Sequence, residues 1–266
     1  MTTGSKATSP AVQRIREGKP VVCMPVRFSR TPNIAYVAHA AGFHALYVDM
    51  EHSPIALDEA SRICLAASAL GLASLVRVPY HDAHAIVAAL EIGATGIIAP
   101  HIETAEQAAQ IVKAARFPPE GERAGAGEAV ALRYQQLGRK EAGERLNRET
   151  LVIVMIESLK AVQNAERIAA VDGVDVLFVG TGDLSSELGI EKVSGNPRII
   201  EIYESIFAAC KRHRRCLGVG GIKNDAEMLR RLYQMGARFF SASTDESLLL
   251  RAAREEMDKL NRILPP

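Results

Sequence analysis

The sequence predicts an α/β fold, a (β/α)8 TIM barrel built as one domain from residues 1–266. Three observations predict it. The chain has 266 residues, close to the roughly 250 that such a barrel needs. Short β-branched and apolar runs recur about every 25 residues, each followed by apolar positions at helical spacing. Most of those helical stretches then run into glycine.

Eight such units can be counted. Strands are expected over Val21–Val26, Ala45–Glu51, Ser74–Pro79, Gly96–Ile102, Leu151–Glu157, Val174–Gly180, Cys216–Ile222 and Phe239–Ser243. Helices are expected over Leu57–Leu70, Ala83–Ile92, Ala105–Ala115, Leu159–Ala170, Arg198–His213, Ala226–Met235 and Ser247–Leu260. Gly71, Gly93, Gly173 and Gly236 fit the position just past a helix, where φ is positive. The fourth unit breaks the rhythm. Between Phe117 and Thr150 it inserts Pro118, Pro119, Gly121, Gly125 and Gly127 and then a charged helical stretch. Read as a long βα loop, this segment is expected to build or cover a site. A doubly wound open sheet is the alternative fold, but no glycine-rich dinucleotide loop follows the first strand. Length alone also leaves two small domains open.

Composition narrows the function classes. With 32 basic and 31 acidic residues the net charge is +1, so no whole-molecule field draws nucleic acid or anionic lipid. Cys23, Cys64, Cys210 and Cys216 show neither C-x-x-C nor finger spacing, and read as reduced, mostly buried thiols of a cytoplasmic protein. The chain has no apolar run of membrane-spanning length and no secretory h-region; only its first few residues read as a flexible tail. The partner is expected to be a small molecule.

In a barrel the chemistry sits at the C-terminal ends of strands. Strand 2 ends in Asp49, Glu51 and His52, strand 3 carries Arg77, strand 5 ends in Glu157, and strand 6 runs into Thr181, Gly182 and Asp183. Carboxylates from adjacent strand ends, Glu157 and Asp183, can share one hard cation such as Mg²⁺ or Mn²⁺, with Co²⁺ and Zn²⁺ as further candidates. Beside a cation, an arginine can hold an enolate oxygen and a histidine can move a proton near neutral pH. Each residue also has a plainer reading. Glu157 and Asp183 could cap helices, His52 could open a turn, and Arg77 could be a structural ion pair.

The segments Val48-Asp49-Met50-Glu51-His52-Ser53-Pro54, Val76-Arg77-Val78-Pro79, Ile156-Glu157-Ser158 and Gly180-Thr181-Gly182-Asp183-Leu184-Ser185 with Gly189 occur in this order. Together they resemble the HpcH/HpaI family of metal-dependent class II pyruvate aldolases, from about Ala35 to Met257. Gly96–Pro100 and Phe117–Arg123 lend weaker support. The resemblance implies metal ligands at Glu157 and Asp183, an acid/base histidine at His52 and an enolate-stabilising arginine at Arg77. It implies backbone amides around Thr181, Gly182 and Asp183 for the pyruvate carboxylate, with Asp49 and Glu51 orienting Arg77, a metal-bound water or the histidine. The aspartate that commonly pairs with that histidine aligns with Glu91, one methylene longer. Met155, Thr181, Gly182, Ala124 and His101 also depart from the common pattern.

The implied reaction is reversible cleavage of 4-hydroxy-2-oxo acids to pyruvate, or a related 2-oxo acid, and an aldehyde through a metal-bound enolate. The resemblance further implies a homohexamer, a trimer of dimers that exchange the last helix. No Schiff-base lysine is evident in the strand cores, Lys223 being the nearest candidate. Two rival functions remain: an acyl-CoA lyase of the citrate or malyl-CoA type, and a nonenzymatic metabolite-binding barrel.

Overall fold

A computed structural model describes residues 9–79, 82–125, 129–222 and 224–264. The N-terminal tail, Gly127 of the insertion and Lys223 lie outside the described residues. Eight parallel strands close into a barrel in chain order: β1 Val21–Val26, β2 Ala45–Asp49, β3 Ala73–Arg77, β4 Gly96–Ala99, β5 Leu151–Ile156, β6 Val176–Gly180, β7 Cys216–Gly220 and β8 Phe239–Ser241. The β8–β1 pairing, Val21 beside Phe239, shuts the ring.

Alternation along each strand sorts side chains into two layers. Cys23, Tyr47, Leu75, Ile98, Met155 and Phe178 point into the barrel, while Val48, Val76, Ile97 and Val179 face the surrounding helices. Phe178 and Phe239 meet edge to face at 5.3 Å between centroids and fill the interior. Gly218 and Gly220 on the neighbouring strand make room for that ring: a Cβ there would lie 2.9 and 2.7 Å from Phe178. Gly71, Gly93, Gly173 and Gly236 all have positive φ where the preceding helices end.

The helices are α1 Pro10–Arg16, α2 Asn33–Ala40, α3 Leu57–Ala69, α4 Ala83–Glu91, α5 Ala105–Ala115, α6 Arg139–Glu149, α7 Leu159–Gln163, α8 Ala165–Ala169, α9 Thr181–Glu187, α10 Pro197–Arg212, α11 Ala226–Met235 and α12 Asp245–Asn261. The helix expected over Leu159–Ala170 is broken at Asn164, whose side chain donates to the Glu103 carbonyl at 2.9 Å. Sequence reading did not foresee α1, which pushes the buried Ala11 and Val12 into the N-terminal end of the barrel.

The insertion 117–150 is an αβ connection, not a βα loop. The preceding helix α5 has already returned the chain to the N-terminal face. There the segment builds a small core of Phe117, Leu132, Ala142 and Leu146, away from the strand ends where a site is expected. Helix α12 is docked at its start and bare beyond it. Asp245 is its one buried residue, whereas Leu249, Leu250, Met257 and Leu260 expose 39–58% of their surface.

Candidate active site

Strand β2 delivers its acids by leaving the sheet early. Asp49 Oδ1 accepts the N–H groups of Glu51 (3.2 Å) and His52 (3.1 Å), an Asx-type turn that curls the chain two residues sooner than the expected strand end. The ladder sets Asp49 beside Arg77 on β3, so both face inward. Arg77 grips Asp49 with two parallel bonds, Nε to Oδ1 at 2.8 Å and Nη2 to Oδ2 at 2.5 Å. Its Nη1 lies 3.1 Å from Glu51 Oε2 and 3.8 Å from Met155 Sδ, and the Tyr47 ring stands 6.0 Å away. Burial pushes the Asp49 carboxyl up, but the bonds and charge of Arg77 outweigh it and hold the group below its ordinary range. The pair stays ionised, with the arginine fixed in place.

Glu157 follows β5 and is buried to 6% exposure. Its Oε1 accepts the His101 N–H at 2.6 Å and lies 2.9 Å from His101 Nδ1. The carboxylate rests on Gly180 of β6, where an added Cβ would come within 2.9 Å of Oε2. His101 reaches the site because β4 stops at Ala99 and the backbone at His101 turns left-handed, with φ 55°; histidine is among the residues that tolerate this conformation. Its Nε2 lies 2.7 Å from Glu51 Oε1, so the imidazole bridges two acids. Burial pushes Glu157 above the ordinary carboxylate range; the His101 N–H and ring oppose this, and the negative charges of Asp183 and Glu51 add to it.

This donor set fits a hard cation. Glu51, Glu157 and Asp183 bring negative charge together, and Glu51 Oε2 is buried without an aligned donor, the Arg77 Nη1 contact being off the hydrogen-bond direction. No cluster of three or more His, Cys, Asp or Glu side chains at metal-holding geometry forms among the described residues. A cation held by two carboxylates would keep positions for water and substrate oxygens.

Other expected site residues fall as follows. Asp183 and Gly182 sit exposed in the first turn of α9, whose leading N–H groups lack helical partners. The His52 ring is half exposed, 3.6 Å from Glu51 Oε2. The Thr181 hydroxyl does not face the mouth: it is fully buried, donates to the Gly220 carbonyl at 2.6 Å and meets the Tyr203 hydroxyl at 2.6 Å. Thr181 can therefore offer substrate only its backbone. Glu91 closes α4 at the opposite, N-terminal face, where its Oε1 accepts from Arg123 Nη2 at 2.7 Å and Nε at 3.2 Å. Within one chain the expected His52–Glu91 dyad does not form, because a helix following β3 ends at the far end of the barrel.

Two residues at the mouth were not expected as site residues. Arg27 follows β1 and donates from Nε to Asp49 Oδ2 at 2.5 Å. Its inward phase was readable from Cys23 by counting in twos. His101 was noted in the sequence only as an unusual imidazole; its reach depends on a backbone twist that no local pattern signals.

A parallel barrel with a polar mouth does its chemistry there, and comparison with known proteins identifies which barrel this is. The profile of the HpcH/HpaI aldolase/citrate lyase family matches residues 28–252, and the chain belongs to that family. It is 39% identical over 241 residues to the 4-hydroxy-4-methyl-2-oxoglutarate aldolase of Chaetomium globosum, covering 89% of each chain. It is 36% identical to the hydroxypyruvate/pyruvate aldolase of Deinococcus radiodurans, over 84% of this chain and 79% of that one. The crystal structure of an HpcH/HpaI aldolase from Desulfitobacterium hafniense superposes with a TM-score of 0.89 at 29% identity, covering 95% of this chain and 96% of that one. The protein is a carbon–carbon lyase of the pyruvate-aldolase type.

Proposed function

We propose that this aldolase reversibly cleaves 4-hydroxy-2-oxo acids to pyruvate, or a related 2-oxo acid, and an aldehyde, using one divalent cation held by Glu157 and Asp183. Mg²⁺ and Mn²⁺ suit the carboxylate donors best, ahead of Co²⁺ and Zn²⁺. The observation that carries this reading is Arg77, buried and clamped by Asp49 at the mouth that also holds Glu157.

When bound, the cation supplies an electron sink at the 2-oxo group. The chain's own groups do the rest. The N–H groups that open α9, at Thr181, Gly182 and Asp183, receive the substrate's 1-carboxylate. His52, outermost of the β2 acids and bases, takes the proton of the 4-hydroxyl as the C3–C4 bond breaks. The guanidinium of Arg77, which cannot swing away from Asp49, faces the oxygen that gains negative charge in the enolate. In the synthetic direction the same groups act in reverse.

The bare apolar face of α12 supports exchange of this helix with a second copy, within a homohexamer of three such dimers. No described helix is long and apolar enough to cross a membrane, and four unpaired cysteines suit a cytoplasmic enzyme. Incubating the protein with Mg²⁺ or Mn²⁺, pyruvate and a panel of aldehydes is expected to yield 4-hydroxy-2-oxo acids detectable by mass spectrometry. No product with any aldehyde, from protein that also fails to release pyruvate from those acids, would overturn the reading.

A further inference from the structure

Arg27 stands one residue beyond β1, in the same inward phase as Cys23. Its Nε is bound to Asp49, yet 29% of its side chain stays exposed, and Nη1 and Nη2 have no hydrogen-bond partner among the described residues. Asp49 cannot serve it further. That buried carboxylate already accepts from Arg77 Nε and Nη2, from Arg27 Nε and from the N–H groups of Glu51 and His52. Arg77 has Glu51 as a second counter-charge, whereas among the described residues Arg27 has none besides Asp49. A second guanidinium is also redundant for holding Asp49, whose two oxygens Arg77 already takes. What Arg27 adds to the mouth is an open Nη1/Nη2 edge, a planar fork matched to the two oxygens of a carboxylate.

Its position says which carboxylate. In an eight-strand ring β1 and β5 are four strands apart in either direction, so Arg27 faces Glu157 across the mouth. A substrate with its 1-carboxylate and 2-oxo group on the β5–β6 side extends C4 towards β1 and β2, where His52 and Arg27 stand. We propose that Arg27 is a specificity-determining residue of this site and binds a carboxylate on the C4 side of the substrate through its open Nη1/Nη2 edge. The proposal rests on the aldolase reading above and deepens it.

The test compares two substrates that differ only at this point: 4-hydroxy-2-oxoglutarate, which releases glyoxylate, and 4-hydroxy-2-oxovalerate, where a methyl group replaces the second carboxylate. Wild-type enzyme is expected to favour the dicarboxylate in kcat/KM. Arg27→Gln is expected to reduce that preference by about 10²-fold, mainly through the dicarboxylate, because the charged partner loses its fork. Arg27→Lys, which keeps the charge without the fork, is expected to give an intermediate ratio. Using the ratio separates recognition from damage, since a misfolded variant or a displaced Asp49 lowers both activities together. An equal loss on both substrates, an unchanged ratio, or a wild-type preference for the methyl compound would each overturn the proposal. Wild-type failure on both compounds would also overturn it, and failure on every other 4-hydroxy-2-oxo acid as well would bring down the proposed cleavage reaction.

Discussion

Asp49 organises the mouth at the scale of single residues, because one buried carboxylate bends β2, fixes Arg77 and holds Arg27. His52 is free of that clamp: its ring is half exposed and makes only a 3.6 Å approach to Glu51. That freedom suits a proton carrier better than a metal ligand. His52→Ala is expected to cut aldol cleavage by about 10²–10⁴-fold. Metal affinity, read by calorimetry, should stay within a few-fold of wild type. Decarboxylation of oxaloacetate, which needs an enolate held but no hydroxyl deprotonated, should suffer far less. A large loss of metal affinity would make His52 a ligand instead. Among these residues, Asp49, Arg77, Glu157 and Asp183 were legible from the sequence because each ends or follows a strand. Glu91 was placed by resemblance alone, and chain direction puts it at the wrong end of the barrel for an intrachain dyad. The Thr181 side chain faces the β7 carbonyl, which strand-end position could not reveal.

At the scale of elements, the eight strands were readable because β-branched runs and their glycine stops are local signals. The C-terminal limits of β1 and β6 fall where expected, but the other six strands stop one to three residues short of the expected ends. Strands 2 and 4 stop short where the Asp49 turn and the Pro100–His101 twist remove ladder partners, and those stops aim Glu51 and His101 at the site. The mistaken placing of the insertion 117–150 has the same root, since sequence shows that a connection is long without showing which face it serves. Asp245 joins two elements: at the start of α12 it accepts the N–H groups of Arg27 (2.8 Å), Phe28 (3.1 Å) and Ser29 (2.8 Å) beyond β1. Burial raises its pKa, but these three donors win and hold it below the ordinary value. Asp245→Ala is therefore expected to cost about 1.5–3 kcal/mol at pH 7 in urea unfolding. A depressed folded pKa contributes stability above the unfolded value, near 3.9, and loses it as pH falls towards the folded one. The difference between wild type and variant should thus be flat from pH 7 to about 5 and shrink below about 4. A difference absent at pH 7, or unchanged at pH 3, would contradict this account.

The molecule as a whole carries a contradiction that a single chain does not resolve. Its barrel is closed and its interior filled, yet α12 leaves Leu249, Leu250, Met257 and Leu260 in water, with Ile263 beyond it 76% exposed. Such a stripe calls for a partner surface. Light scattering of the full chain is expected to give a hexamer, and Leu249→Glu with Met257→Glu is expected to lower the mass to that of one or two chains. A monomeric wild type would refute helix exchange.

That Glu157 and Asp183 hold a catalytic cation at the mouth shared with the clamped Arg77 is tested most directly by pyruvate release from a 4-hydroxy-2-oxo acid after chelation and stepwise return of Mn²⁺. Activity is expected to be lost on chelation and restored by metal. Glu157→Gln and Asp183→Asn are expected to need far higher Mn²⁺ for half-restoration, since a neutral amide lacks the charge a hard cation seeks. Full activity in the chelated enzyme, or a covalent pyruvate adduct trapped by borohydride, would contradict it.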